Sequence, residues 1–307
     1  MITQELYNAK RLASARFLQR VPSVVGVGIG PKIVDNVESD ITCIRVYVTK
    51  RFEFDDLSIR SMIPKEIMGQ PTDVVELEKH GFSPVSNIVV DAHGPNLNPK
   101  LAGSVGAVLV AGEERYLLGA NHVLSLNGRV PQADIYGPKG KIGETIPEWV
   151  VLLQHGQKNQ ADAALARLDK GVELDGTVNL TSTGDVAEPT LGTIVKKVGA
   201  DNDQTGTIVD NRADFFIDYS FGTFQMENQI FVKVKGGDAK FAKGGDSGSV
   251  IVDRSNKVVG MVIASAGKFA AICPISAILE GLKTATPTGE AIPWLQQNPV
   301  QASPASY

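Results

Sequence analysis

Only two cysteines, Cys43 and Cys273, occur in 307 residues, and they fall in different parts of the chain. That separation argues against a disulfide framework, so both read as small buried apolar residues in a reducing cytoplasm. Histidine is almost as scarce, with four copies. Neither His-x3-His nor Cys-x2-Cys spacing occurs, so no metal and no other cofactor is expected. Apolar residues never run on for the ~18 positions of a membrane-spanning helix, so no membrane partner is expected. The first 20 positions mix charges throughout and lack the unbroken apolar centre of a secretory signal. Basic residues do not predominate. With 30 Lys and Arg against 34 Asp and Glu, the net charge of −4 argues against nucleic acid or an anionic surface as partner. What is left is a globular composition, 43% hydrophobic and 21% charged, in a chain long enough for two modest domains.

Periodicity divides that chain. Leu6, Ala9, Ala13 and Phe17 recur at helical spacing with Leu12 at the edge of the stripe, which predicts an amphipathic helix over 3–19, ended by Pro22. Runs at 24–30 and 41–49 read as paired strands around the polar loop 35–40, and a third strand is expected at 72–77. Residues 1–95 are therefore expected to form a small α/β module. Its Gly26-Val27-Gly28-Ile29-Gly30 run is not a nucleotide loop, because Pro31 stands where G-x-G-x-x-G needs its last glycine. Twist or close backbone approach within a strand explains those glycines better. From about residue 100, short apolar runs alternate with Gly-rich turns, the pattern of an all-β domain. Strands are expected near 104–111, 115–120, 161–168, 190–198, 206–209, 229–235, 249–253, 258–265 and 269–273, with 126–160 a surface loop carrying a short strand or two. A helix is predicted over 274–282 with Ser276 near its cap, and 286–307 as a flexible tail.

The chemistry concentrates in Gly244-Gly245-Asp246-Ser247-Gly248-Ser249. A serine nucleophile needs a backbone curled tightly enough to aim two N–H groups at a reacting carbonyl oxygen. Glycines permit the curl, and the N–H groups of Gly245 and Ser247 would form that oxyanion hole. Alone, the string is as readily a polar turn. Two other segments change the balance. The apolar run Tyr116–Leu124 carries His122 at its end, and Ala161–Ala166 carries Asp162 into a second apolar run. A serine hydroxyl is a poor nucleophile until an imidazole takes its proton, and a buried carboxylate fixes the tautomer of that imidazole. His80, His93 and His155 sit in polar segments and read as solvated surface residues. Asp134 also opens a strand-like run and Asp169 closes one, but only Asp162 is followed by Ala-Ala-Leu. Asp201, Asp203 and Asp210 lack the spacing of a calcium loop and read as solvated.

The order His, Asp, Ser, with Asn121-His122-Val123-Leu124, Asp162-Ala163-Ala164-Leu165 and Gly245-Asp246-Ser247-Gly248-Ser249, resembles the trypsin/chymotrypsin superfamily of serine peptidases. More narrowly, it is similar to bacterial members that carry an extra N-terminal module. The resemblance covers roughly residues 100–285. It implies a chymotrypsin-like double β-barrel over 96–285, with His122 as general base, Asp162 as its orienting carboxylate and Ser247 as nucleophile. The substrate it implies is a protein or peptide, cut through an acyl-enzyme. Asn121, Val123 and Ser249 depart from the commonest pattern, and the loop 198–207 lacks the usual basic residue. In zymogens of this superfamily the aspartate before the serine pairs with a newly cut N-terminus. No Ile/Val-Gly-Gly segment stands at the usual distance before His122, so no such cleavage is expected for Asp246. By the same resemblance Phe241 floors the substrate pocket and Ile263, Ala264 and Ser265 wall it. No carboxylate is among them, so the residue on the acyl side of the cut should be small or apolar. The competing expectations are a peptidase-like module that binds protein segments without cutting, and a structural protein assembled through its N-terminal module. The first helix is expected to pack on its own module; the alternative is that the module mediates homo-oligomerisation or covers the cleft, with Leu6, Ala9, Leu12, Ala13 and Phe17 as the contact.

Overall fold

The computed structural model describes residues 2–21, 23–35, 37–49, 62–77, 83–84, 90–93, 101–130, 132–137, 139–199, 204–234, 239–285 and 292–298. Pro22, His80, Asp201 and Asp203 lie outside the described residues.

Thr3 caps the first helix, its hydroxyl oxygen accepting from the Leu6 N–H at 3.2 Å. α1 (Gln4–Ala13) then runs into a π-helical turn over Ser14–Leu18. A hairpin of β1 (Val24–Val34) and β2 (Val37–Thr49) follows, and then β3 (Glu66–Ile67) and β4 (Gln70–Leu77). The connector carries β5 (Ser83–Pro84), β6 (Val90–His93) and β7 (Leu101–Gly103). Next come β8 (Ala107–Ala111), β9 (Glu114–Gly119), α2 (Asn121–Leu124), β10 (Asp134–Gly137) and β11 (Gly140–Val150). After β12 (Lys158–Asn159), β13 (Ala164–Leu168) and β14 (Val178–Leu180), the chain continues in β15 (Ile194–Val198), β16 (Thr205–Tyr219) and β17 (Gly222–Lys233). It ends with β18 (Val250–Val252), β19 (Val258–Ala266), β20 (Phe269–Pro274), α3 (Ile275–Ala285) and α4 (Pro293–Gln297).

The molecule is mainly β. One sheet of eight strands has the order β14-β8-β9-β13-β11-β10-β6-β7. The other runs β12-β17-β20-β19-β18-β15-β16-β1-β2-β4-β3, with β5 paired to β19. Because β17 also pairs with β16, the hydrogen-bonded path β16-β17-β20-β19-β18-β15 returns to its starting strand. β1 joins that path through Gly26 opposite Phe215 and Val27 opposite Asp214, so the N-terminal hairpin extends the same sheet.

Three expectations are corrected. The stretch 126–160 contains β10 and the eleven-residue β11. Lys141, Glu144, Pro147 and Glu148 interrupt its alternation, yet Ile142, Thr145, Trp149 and Val150 are buried. The strand expected at 206–209 runs on to Tyr219. Asp210 and Asp214 masked it, because both are buried against polar partners from the N-terminal elements. The expected flexible tail contains α4, where Trp294 is buried and its indole N–H donates to Leu180 O at 2.7 Å. For α1 the structure takes the first of the two expectations, the stripe packing on its own module. Leu6, Ala9, Ala13 and Phe17 pack with Val27, Ile29, Ile44 and Val46 in one core cluster, and only Leu12 of the five, 48% exposed, is left for a partner. A helix covering one face of a twisted sheet has its apolar stripe already used.

Candidate active site

Each of the three key side chains comes from a different part of the fold. β9 ends at Gly119, and Ala120, in extended conformation, starts the single turn of α2. Asn121 anchors that turn through its side-chain amide, which donates to Val151 O at 2.8 Å and to Asn127 at 3.0 Å. His122 is thereby turned towards the segment leading into β13, where Asp162 is fully buried. The His122 backbone N–H donates to Asp162 Oδ1 at 3.1 Å, and His122 Nδ1 lies 2.6 Å from Oδ2. On the other side of the ring, Nε2 is 3.0 Å from Ser247 Oγ. With the carboxylate ionised, the proton belongs on Nδ1 and Nε2 is the acceptor for the serine hydroxyl. Burial works to raise the Asp162 carboxyl, but the His122 charge and the hydrogen bonds from His122 and Tyr219 outweigh it and hold the group below its ordinary range.

Ser247 sits on a sharply bent loop. Gly245 has φ +105° and Gly248 φ +97°, conformations that cost an L side chain dearly. A Cβ on Gly248 would also come within 2.0 Å of the Ser104 carbonyl oxygen. Ser104 braces the bend twice, its N–H donating to Ser247 O at 2.7 Å and its hydroxyl to Gly245 O at 2.6 Å. The aspartate in the loop is braced as well. Asp246 pairs with Lys197 of β15, both almost fully buried, and accepts from the Lys243 N–H at 2.9 Å. Lys197 Nζ also donates to Phe241 O at 2.9 Å, tying both ends of the loop to one ammonium.

The expected site residues are therefore distributed as follows. His122, Asp162 and Ser247 form one hydrogen-bonded chain, with Gly245 at the adjoining bend. Phe241 packs with Val195, Ile208, Val232 and Ile251, and Ile263 and Ala264 are buried in a separate cluster. Ile263 O lies 3.4 Å from Ser247 Oγ, and the backbones of Ala264 and Ser265 pair with Pro84 and Ser83 of β5. Asp134 is half-buried and paired with Lys141. His155 is exposed and stacks on Phe224 with ring centroids 4.2 Å apart. His93 lies on β6, opposite Asp134 in the ladder. Asp210, expected in a solvated loop, is instead fully buried and accepts from the Tyr47 hydroxyl at 2.8 Å. The long β16 carries it beneath the N-terminal hairpin.

Two residues beside the site escaped the sequence reading. Lys197 shares the inward phase of Val195 on β15, and an inward charge implies a buried counter-charge. Tyr219, which donates to Asp162 Oδ2 at 2.7 Å, carried no such signal, because β16 had not been expected to reach it. Among the described residues no helix is long and apolar enough to cross a membrane. No protein-family model and no curated protein matches the chain.

Proposed function

We propose that the protein is a serine endopeptidase whose nucleophile is Ser247. The observation that carries this reading is the unbroken chain from Asp162 through His122 to Ser247 Oγ, with distances of 2.6 and 3.0 Å. In the proposed reaction His122 Nε2 takes the hydroxyl proton as Ser247 Oγ attacks the peptide carbonyl, and Asp162 stabilises the resulting imidazolium. The backbone N–H groups of Gly245 and Ser247 hold the oxyanion. His122 returns the proton to the departing amine, leaving an acyl-enzyme that a water molecule, deprotonated by the same imidazole, then hydrolyses. The returning strand path β16-β17-β20-β19-β18-β15 supports the finer reading of a chymotrypsin-like barrel. The two buried free thiols are in keeping with a bacterial cytosol, which we propose as its compartment.

One observation favours the second reading, a peptide-holding module without turnover: Ser247 is fully buried, and β5 occupies the strand edge beside it. A fluorophosphonate probe separates the two. Wild type should be labelled, and Ser247→Ala and His122→Ala should each abolish labelling and turnover of casein. The double variant should be no worse than either alone, because such residues act as a unit. Casein hydrolysis that survives in Ser247→Ala would eliminate the assignment.

A further inference from the structure

Tyr219 closes β16, and the turn to β17 follows it at once. Its hydroxyl donates at 2.7 Å to Asp162 Oδ2, the same oxygen that faces His122 Nδ1. The phenol ring is held by stacking on Phe221, with centroids 5.0 Å apart and planes 10° from parallel, and by the edge of Phe224 at 5.9 Å. It also lies 5.2 Å from the imidazole. A fully buried carboxylate stays charged only when donors surround it. Here they are the His122 N–H, His122 Nδ1 and the Tyr219 hydroxyl.

We infer that Tyr219 is a positioning residue for the proposed reaction, its hydroxyl fixing the carboxylate of Asp162 in the orientation and charge state that His122 requires. This rests on the serine-peptidase reading for its consequence in catalysis, but its physical content is a coupling between Tyr219 and the titration of His122. Three titratable groups face Asp162: His122 from α2, Tyr219 from β16 and Cys273 from β20. Burial, reinforced by the Asp162 charge, pushes the Tyr219 phenol well above its ordinary range, so it remains a donor at every working pH. Burial likewise pushes the Cys273 thiol up, and its Sγ donates to Gln160 O at 3.3 Å. Taking away the phenol hydroxyl leaves a more basic carboxylate, which favours the imidazolium and moves the His122 transition to higher pH.

The test is Tyr219→Phe in the full-length chain, which removes one oxygen and keeps both ring stacks. In histidine-labelled protein, with the resonance assigned through His122→Asn, the NMR titration of His122 should shift upward by roughly half a unit to one unit. The acid limb of fluorophosphonate labelling should shift with it, and the plateau rate should fall about 10-fold, the size expected for one hydrogen bond to a charged group. Incorporating 3-fluorotyrosine at position 219, a more acidic and stronger donor, should move the titration downward and covers the case in which the phenylalanine variant does not fold. A His122 titration unchanged in either variant overturns the inference. Wild type that titrates as expected but never reacts with the probe overturns the peptidase reading instead, and leaves the coupling standing.

Discussion

At the scale of single residues, the informative contrast is between groups that announce themselves and groups that act through another. The Gly-Asp-Ser-Gly string and His122 stand out in the sequence, and the structure brings His122 and Ser247 together; under the proposed reading, nucleophile chemistry restricts which residue types can stand there. Asp162 was separable from Asp134 because an apolar run follows it, and the structure buries it completely. Lys197 shows the limit, since nothing in the linear sequence says which of many acidic groups an inward lysine will meet. Its role is open to measurement. Lys197→Met leaves Asp246 buried and unpaired, which should cost about 3 to 5 kcal/mol in urea unfolding. Probe labelling should fall on the order of 100-fold, because under the proposed reading the bend that aims the Gly245 and Ser247 N–H groups at the oxyanion loses its anchor. Adding Asp246→Leu should recover much of the stability, since an apolar pair tolerates burial, without recovering the labelling rate. Restored labelling in the double variant would mean that the ion pair serves stability alone.

Among elements, those with clean periodicity were read correctly from sequence and those with buried charges were not. α1 and the β1–β2 hairpin follow apolar spacing closely, as do β19 and β20. β16 was underestimated by about ten residues because its middle reads Asp210-Asn211-Arg212-Ala213-Asp214, a stretch that looks solvated until its partners are known. Asp214 is satisfied by Lys10 and Ser14 of the first helical segment, and Asp210 by Tyr47 of β2. Such partners are more than 160 positions away in sequence, beyond the reach of any local pattern. Asp210 also gives this junction a pH signature. Burial pushes its carboxyl up to about 6, against the backbone, Tyr47 and Arg45 interactions that oppose the shift. A folded-state value above the unfolded one means that folding retains a proton the unfolded chain gives up. Stability therefore falls as pH rises from about 4 to about 6 and is level beyond. Asp210→Asn removes that dependence. Between pH 4 and pH 7 its unfolding free energy should gain on wild type by up to about 3 kcal/mol. Parallel urea curves at the two pH values would contradict the buried-carboxylate account.

For the molecule as a whole, the N-terminal elements and the strands from β15 onward share one sheet and two buried polar junctions. Removing residues 1–80 would bare the edge of β16 and strand Asp214 without Lys10. An uncovered strand edge pairs readily with copies of itself. The truncated chain should therefore aggregate, or unfold at much lower urea, in light scattering and denaturation experiments. A soluble monomer labelled at the wild-type rate would show that the hairpin is dispensable. The internal brace on the Ser247 loop has a consequence for control. Lys197 of β15 reaches Asp246 in the loop that leads into β18, the strand paired with β15, so the ion pair belongs to the folded framework itself. Under the proposed reading the loop then holds its bend without needing a newly cut N-terminus to pair with Asp246. Control would fall to dosage and to access to Ser247 rather than to ripening.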